Sequence, residues 1–197
     1  MMLRSLLLPL AFAVSSAFAA TPGQNAPEIS LPATDGKPAK LSEHKGKWVV
    51  LEWVNPGCPY VRKHYDTKNM QALQKTYGAK DVVWLAVNST NPGHVDYLKP
   101  AAMGEWMKAQ GGTPRVTMMD EKGVAGRAYG ARTTPQMFII DPKGQVVYNG
   151  AIDDKRSANP EDVKTAKNFL KAGMDEALAG KPVSVASTTP YGCTVKY

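Results

Sequence analysis

The sequence predicts an α/β fold: a central mixed sheet flanked by helices, followed by an irregular C-terminal tail. Three observations lead there. Short apolar runs of strand length recur along the chain, helical stripes separate them, and a late pair of extended segments flanks a tight turn. Such runs suit strands covered on both faces of a sheet. Strands joined through helices build a parallel sheet, and a hairpin adds antiparallel strands to it.

Residues 20–27 read as a loose lead-in with Pro22, Gly23 and Pro27, and residues 28–31 as a short edge strand. Asp35-Gly36-Lys37-Pro38 is a turn. Residues 47–54, Lys-Trp-Val-Val-Leu-Glu-Trp-Val, have the character of a central strand, which Asn55-Pro56-Gly57 ends. Pro59 fits the first position of a helix, where its missing N–H costs nothing. Val61, Tyr65, Met70, Leu73 and Tyr77 carry a roughly helical stripe on to Gly78. Residues 81–88 form a second buried strand, 101–110 a short helix, 115–119 a third strand and 124–129 one or two helical turns. Residues 136–140 and 145–150 flank Asp141-Pro142-Lys143-Gly144 and read as a β-hairpin. Residues 160–179 read as one helix, with Asn159 as cap and Glu161 and Asp162 at its positive end. Gly180-Lys181-Pro182 stops it, and residues 183–197 form the tail, which carries Cys193.

The first 19 residues read as a secretory leader. Arg4 supplies the basic start, residues 5–18 the apolar run, and Ala17-Phe18-Ala19 the small-x-small cleavage site. The alternative is an uncleaved anchor, for which the run is short of the roughly 20 residues that span a bilayer. The expected product is an exported, periplasmic chain: one domain over residues 20–182 plus the tail 183–197, with no membrane partner once the leader is removed. The net charge of +7 is spread along the sequence without a Lys/Arg block. That distribution argues against a nucleic-acid partner.

Two cysteines, Cys58 and Cys193, remain after cleavage, and in an oxidising compartment a structural disulfide is one use for them. The other use is chemistry. Cys58 follows a central strand and opens a helix, at the carboxyl end of that strand, where open α/β folds place their sites. The thiolate is the reactive form of cysteine, and an ordinary thiol has a pKa of about 8.5. Unpaired N–H groups and the positive end of the helix dipole favour the anion. Arg62, Lys63 and His64 follow closely, although His64 lies roughly 240° around an ideal helix from the cap and suits a structural or solvated role. His44 and His94 lack metal-ligand spacing, and Met118-Met119 suits strand packing, so neither metal nor cofactor is expected. Thr134-Pro135 precedes a buried strand, a candidate cis bond whose carbonyl would be free to meet an extended substrate.

Trp53-Val54-Asn55-Pro56-Gly57-Cys58-Pro59-Tyr60-Val61, followed by Thr133-Thr134-Pro135, resembles the thioredoxin superfamily. It is most similar to peroxiredoxin-like redoxins of the alkyl hydroperoxide reductase/thiol-specific antioxidant group. Asp154-Lys155-Arg156-Ser157-Ala158-Asn159-Pro160 and Pro190-Tyr191-Gly192-Cys193 resemble the end of a bacterial subfamily of these. The resemblance implies a thioredoxin fold, redox activity at Cys58 toward disulfides or peroxides, and a cis Pro135 facing it. Thr134 and Arg132 join the implied site, Arg132 in place of the peroxiredoxin arginine. The departures are informative. Val61 stands where a Cys-x-x-Cys motif has its second cysteine, and Leu51 and Asn55 stand where peroxiredoxins carry Pro and Thr. An oxidised Cys58 therefore needs another thiol, either Cys193 or an external thiol reductant. The tail from Gly180 can extend about 43 Å at roughly 3.3 Å per residue, enough to cross a domain about 35–40 Å wide. The competing reading is a non-catalytic protein that uses the same fold to hold a partner or a soft metal.

Overall fold

The computed structural model describes residues 20–197, and the expected leader lies outside the described residues. The chain enters through an antiparallel pair, β1 (Ser30–Pro32) and β2 (Pro38–Lys40), closed by the Asp35–Gly36 turn. The edge strand thus begins two residues later than the sequence suggests. β3 (Val49–Trp53) follows at the centre of the main sheet, then two helices, α1 (Pro59–Asp66) and α2 (Asn69–Gly78). β4 (Val83–Asn88), α3 (Pro100–Ala109), β5 (Val116–Met119) and α4 (Val124–Tyr129) complete the parallel part. A short strand β6 (Thr133–Thr134) precedes the hairpin of β7 (Gln136–Ile140) and β8 (Val146–Gly150). After α5 (Phe169–Leu178), the tail ends in β9 (Cys193–Thr194).

The main sheet runs β5-β4-β3-β7-β8. β3 pairs parallel with β4, placing Leu51 beside Leu85, and antiparallel with β7, placing Leu51 beside Phe138. All five residues of β3 are buried, as a continuous apolar run predicts. Its alternating side chains divide the core in two. Val50 and Val54 pack toward Val61, Met70, Tyr77 and Leu170, from α1, α2 and α5. Leu51 and Trp53 pack toward Ala125, Tyr129 and Phe138, where the ring centroids of Trp53 lie 5.2 Å from those of both Tyr129 and Phe138. This is the helix-flanked mixed sheet expected of the thioredoxin fold, and it leaves Cys58 at the carboxyl end of β3.

Two expected helices are broken. The stripe over residues 59–78 divides where Lys68 takes a left-handed φ of 63. There Thr67 Oγ1 donates to the carbonyl of Lys63 at 2.7 Å, competing with the backbone for the last turn of α1. The helix expected over 160–179 is a 3₁₀ turn, Pro160–Lys164, followed by α5. Each has its own cap: Asn159 accepts from the Glu161 N–H at 3.2 Å, and Asn168 from the Lys171 N–H at 2.8 Å. The tail is irregular over most of its length, but it is fastened. Thr188 Oγ1 accepts from the Ala151 N–H at 2.9 Å, and Tyr197 donates to the carbonyl of Ala131 at 2.7 Å.

Candidate active site

Cys58 caps α1 with extended backbone and Pro59 in the first helical position, the geometry that its sequence context predicts. The loop that delivers it is held by Asn55. Its side-chain oxygen accepts from the Gly57 N–H at 2.7 Å, and its amide donates to Asp96 at 3.3 Å. Gly57 leaves room for the Asp96 carboxylate, which a Cβ there would displace. Cys58 itself is 1 % exposed. Its thiol donates to the carbonyl of Thr134 at 3.1 Å. The Thr134–Pro135 bond is cis, so the two strings singled out in the sequence meet at this contact.

The carbonyl of Thr134 is not open to an outside peptide, as the sequence suggested. β9 lies against β6 in antiparallel register, with Thr133 opposite Thr194 and Thr134 opposite Cys193. The Val195 N–H extends the pairing by donating to the carbonyl of Arg132 at 3.0 Å. Cys193 thereby comes within hydrogen-bonding reach of Cys58. Burial pushes the Cys193 thiol up to about 12, and the hydrogen bond to Cys58 and negative charge on it act in the same direction. Cys193 therefore keeps its proton near neutral pH. Both cysteines are free thiols in this structure.

Of the expected site residues, the fold brings together Cys58, Thr134, Pro135 and Cys193. Arg132 stands apart from them: its side chain is exposed and makes no hydrogen bond or ion pair among the described residues. Its register one residue before β6 turns it outward. The cationic neighbours of Cys58 are engaged elsewhere. Arg62 Nε donates to the carbonyl of Pro56 at 2.9 Å. His64 is fully buried and accepts from or donates to Asn69 across 2.8 Å. Burial, and then the charge of Lys63, lower its pKa to about 3, so its 3.8 Å approach to Asp153 joins a neutral ring to a carboxylate. That is the structural role expected of it. The hydroxyls of Thr133 and Thr134 are buried beside β9 without a hydrogen-bond partner. A cleft of about 680 Å³ lined by Thr34, Gly112 and Arg115 contains none of these residues.

Sequence reasoning missed two groups. Glu52 sits at 0 % exposure in β3, where Trp84, Tyr65 and Gln74 donate to it at 2.8, 2.9 and 3.3 Å. Burial raises its pKa to about 7 against those donors. A lone acid inside an otherwise apolar strand was its visible signal. The second group is Lys63, Asp153 and Tyr191, which meet below the tail. Tyr191, two residues before the tail cysteine, is its trace in the sequence.

Residues 22–149 match the AhpC/TSA family. Two relatives from Bacillus subtilis align with the chain. The thioredoxin-like protein YneN is 29 % identical over 72 % of this chain and 79 % of its own. The thiol-disulfide oxidoreductase ResA is 30 % identical over 64 % of each chain. A conserved protein from Geobacillus kaustophilus has a solved structure 26 % identical to this one, covering 90 % of this chain and 93 % of its own at a TM-score of 0.79. Fold, sheet order, the Cys-Pro helix start and these likenesses agree, and the chain belongs to the AhpC/TSA family of thioredoxin-fold redox proteins.

Proposed function

We propose that this oxidoreductase works through Cys58 and that Cys193 is the thiol that resolves it. The observation that carries the reading is the register of β9 on β6, which sets Cys193 opposite the residue whose carbonyl binds the Cys58 thiol. The attacking sulfur is Cys58, which stands at the start of α1, while burial holds the proton on Cys193. With a hydroperoxide, the Cys58 thiolate attacks the O–O bond and keeps one oxygen as sulfenic acid, while the other leaves as alcohol or water. Cys193 then gives its sulfur to Cys58; an S–S bond forms, the S–O bond breaks, and the oxygen departs as water with the Cys193 proton. With a disulfide, Cys58 displaces one thiol, and Cys193 displaces the other from the mixed disulfide. An external dithiol reduces the Cys58–Cys193 bond in either case. The missing Cys-x-x-Cys partner is thus replaced by a cysteine 135 positions away.

Thiol-disulfide relatives favour disulfide-bearing proteins as substrates, and the family match admits peroxides. Export follows from the leader, with the working chain beginning at Ala20 in the periplasm. One experiment addresses both points. Protein recovered from the cell envelope should have the intact mass of residues 20–197 and should lose two hydrogens on treatment with hydrogen peroxide or a peptide disulfide. Cys193→Ser should stop at a Cys58 sulfenate or mixed disulfide. A wild-type protein that stays fully reduced in both oxidants, with Cys58 inert to alkylation in the Cys193→Ser form, overturns the reading.

A further inference from the structure

Beneath the tail lies a buried ion pair that the chemistry above does not use. Lys63 is fully buried, Asp153 is 2 % exposed, and Nζ stands 3.7 Å from the carboxylate. Lys63 also donates to the carbonyls of Lys155 and Ser157 at 3.0 and 3.2 Å. Its remaining reach is to the Tyr191 hydroxyl, at 3.4 Å, and that hydroxyl donates to Asp153. The Tyr191 ring rests on Tyr60, centroids 5.9 Å apart. Burying such a pair is a poor way to gain stability, because desolvation offsets the attraction. What it does provide is register: a half-satisfied buried network is costly, so the tail fits only with a hydroxyl at this point.

The two ends of this network are the two ends of the site. Lys63 lies on α1, five residues beyond Cys58, and Tyr191 lies two residues before Cys193. We propose that Lys63 and Asp153 are positioning residues that latch Tyr191 and so set how strongly Cys193 competes for Cys58. The proposal rests on the cycle above. With the latch engaged, Cys193 occupies the edge of β6 and is the first thiol to meet an oxidised Cys58. A polypeptide can pair with that edge only when Tyr191 has left its pocket, and the returning tail expels it as the mixed disulfide is resolved. The bond that forms is Cys58–Cys193; the bond that breaks joins Cys58 to the client, whose thiolate leaves with the proton of Cys193.

The test is the equilibrium of the Cys58–Cys193 disulfide with graded mixtures of reduced and oxidised glutathione, in the folded protein and in Tyr191→Phe. Asp153→Asn serves as a second variant; Tyr191→Phe, which keeps the ring on Tyr60, decides if it does not fold. Removing the latch should lower the equilibrium constant at least tenfold. Amide hydrogen exchange at Thr194 and Val195 should quicken by a similar factor. A purely structural tyrosine would lower the melting temperature and leave the glutathione equilibrium where it was. An equilibrium constant within twofold of the parent therefore overturns the proposal, as does unchanged exchange. If the parent forms no Cys58–Cys193 disulfide, the cycle itself has failed. The latch is then judged on exchange alone, comparing Cys193→Ser with and without Tyr191→Phe: faster exchange supports it and equal exchange overturns it.

Discussion

At Gly192 the backbone takes φ +134, and a Cβ there would run into the carbonyl of Thr134. Both facts exclude a side chain next to the tail cysteine. Gly192→Ala should therefore cost about 1–3 kcal/mol, the usual range for a residue forced into a sparsely populated conformation. Urea denaturation of the reduced protein reads this directly, and an unmoved midpoint would show that the strand reseats without strain. Lys63 shows the limit of reading single residues. In the sequence it is one more cation in the first turns of a helix, which need not face the sulfur. Its burial depends on Asp153 and Tyr191, which are 90 and 128 positions further on. Cys58, Thr134 and Pro135 were legible because their meaning is local: a cysteine before proline at a strand end, and a proline before a strand.

Elements were legible to the extent that their signals were continuous. The five strands of the main sheet lie within one or two residues of their apolar runs. The helices broke where a stripe or a cap had a rival. Between Tyr65 and Met70 the apolar spacing widens to five residues, more than a helical turn, and the chain reverses there into α2. The helix expected from Pro160 contains a second asparagine, and that one caps α5. The difference between the two caps is measurable. Asn168→Ala should destabilise the protein by about 1 kcal/mol, since α5 buries Leu170 and Met174 on Tyr77 and its neighbours. Asn159→Ala should cost less than about 0.5 kcal/mol, because the 3₁₀ turn that it starts buries no residue. Thermal melts of the two variants side by side check the order. The strand β9 had no signal to read: two residues cannot show a period, and their pairing exists only in the tertiary contact with β6.

For the molecule as a whole, two buried groups shape the dependence of stability on pH, with opposite signs. Between about 4.5 and 7, folded Glu52 holds a proton that the unfolded chain has released, so stability falls as pH rises through that window. Between about 3 and 6.5, unfolding lets His64 take up a proton that the folded state refuses, so stability falls as pH drops. Each slope is at most about 1.4 kcal/mol per pH unit. Where the windows overlap they cancel, giving a flat maximum that declines on both sides. Glu52→Gln should abolish the decline toward neutrality, uncover a rise with pH between about 4.5 and 6.5, and leave the slope below that as it was. Urea midpoints measured from pH 4 to 8 test this; parallel curves for the two proteins would contradict the assignment.

The contact between Thr134 and Cys193 joins positions 59 apart. Pairings that distant carry a loop-closure cost and form after local structure. Every strand of the main sheet precedes the tail in the chain. Time thus enters the design of the site through chain order: the segments that build the surroundings of Cys58 are synthesised first, and the segment that shields it last. A growing chain therefore passes through an interval in which every strand of the main sheet has been made and the segment that covers Cys58 has not.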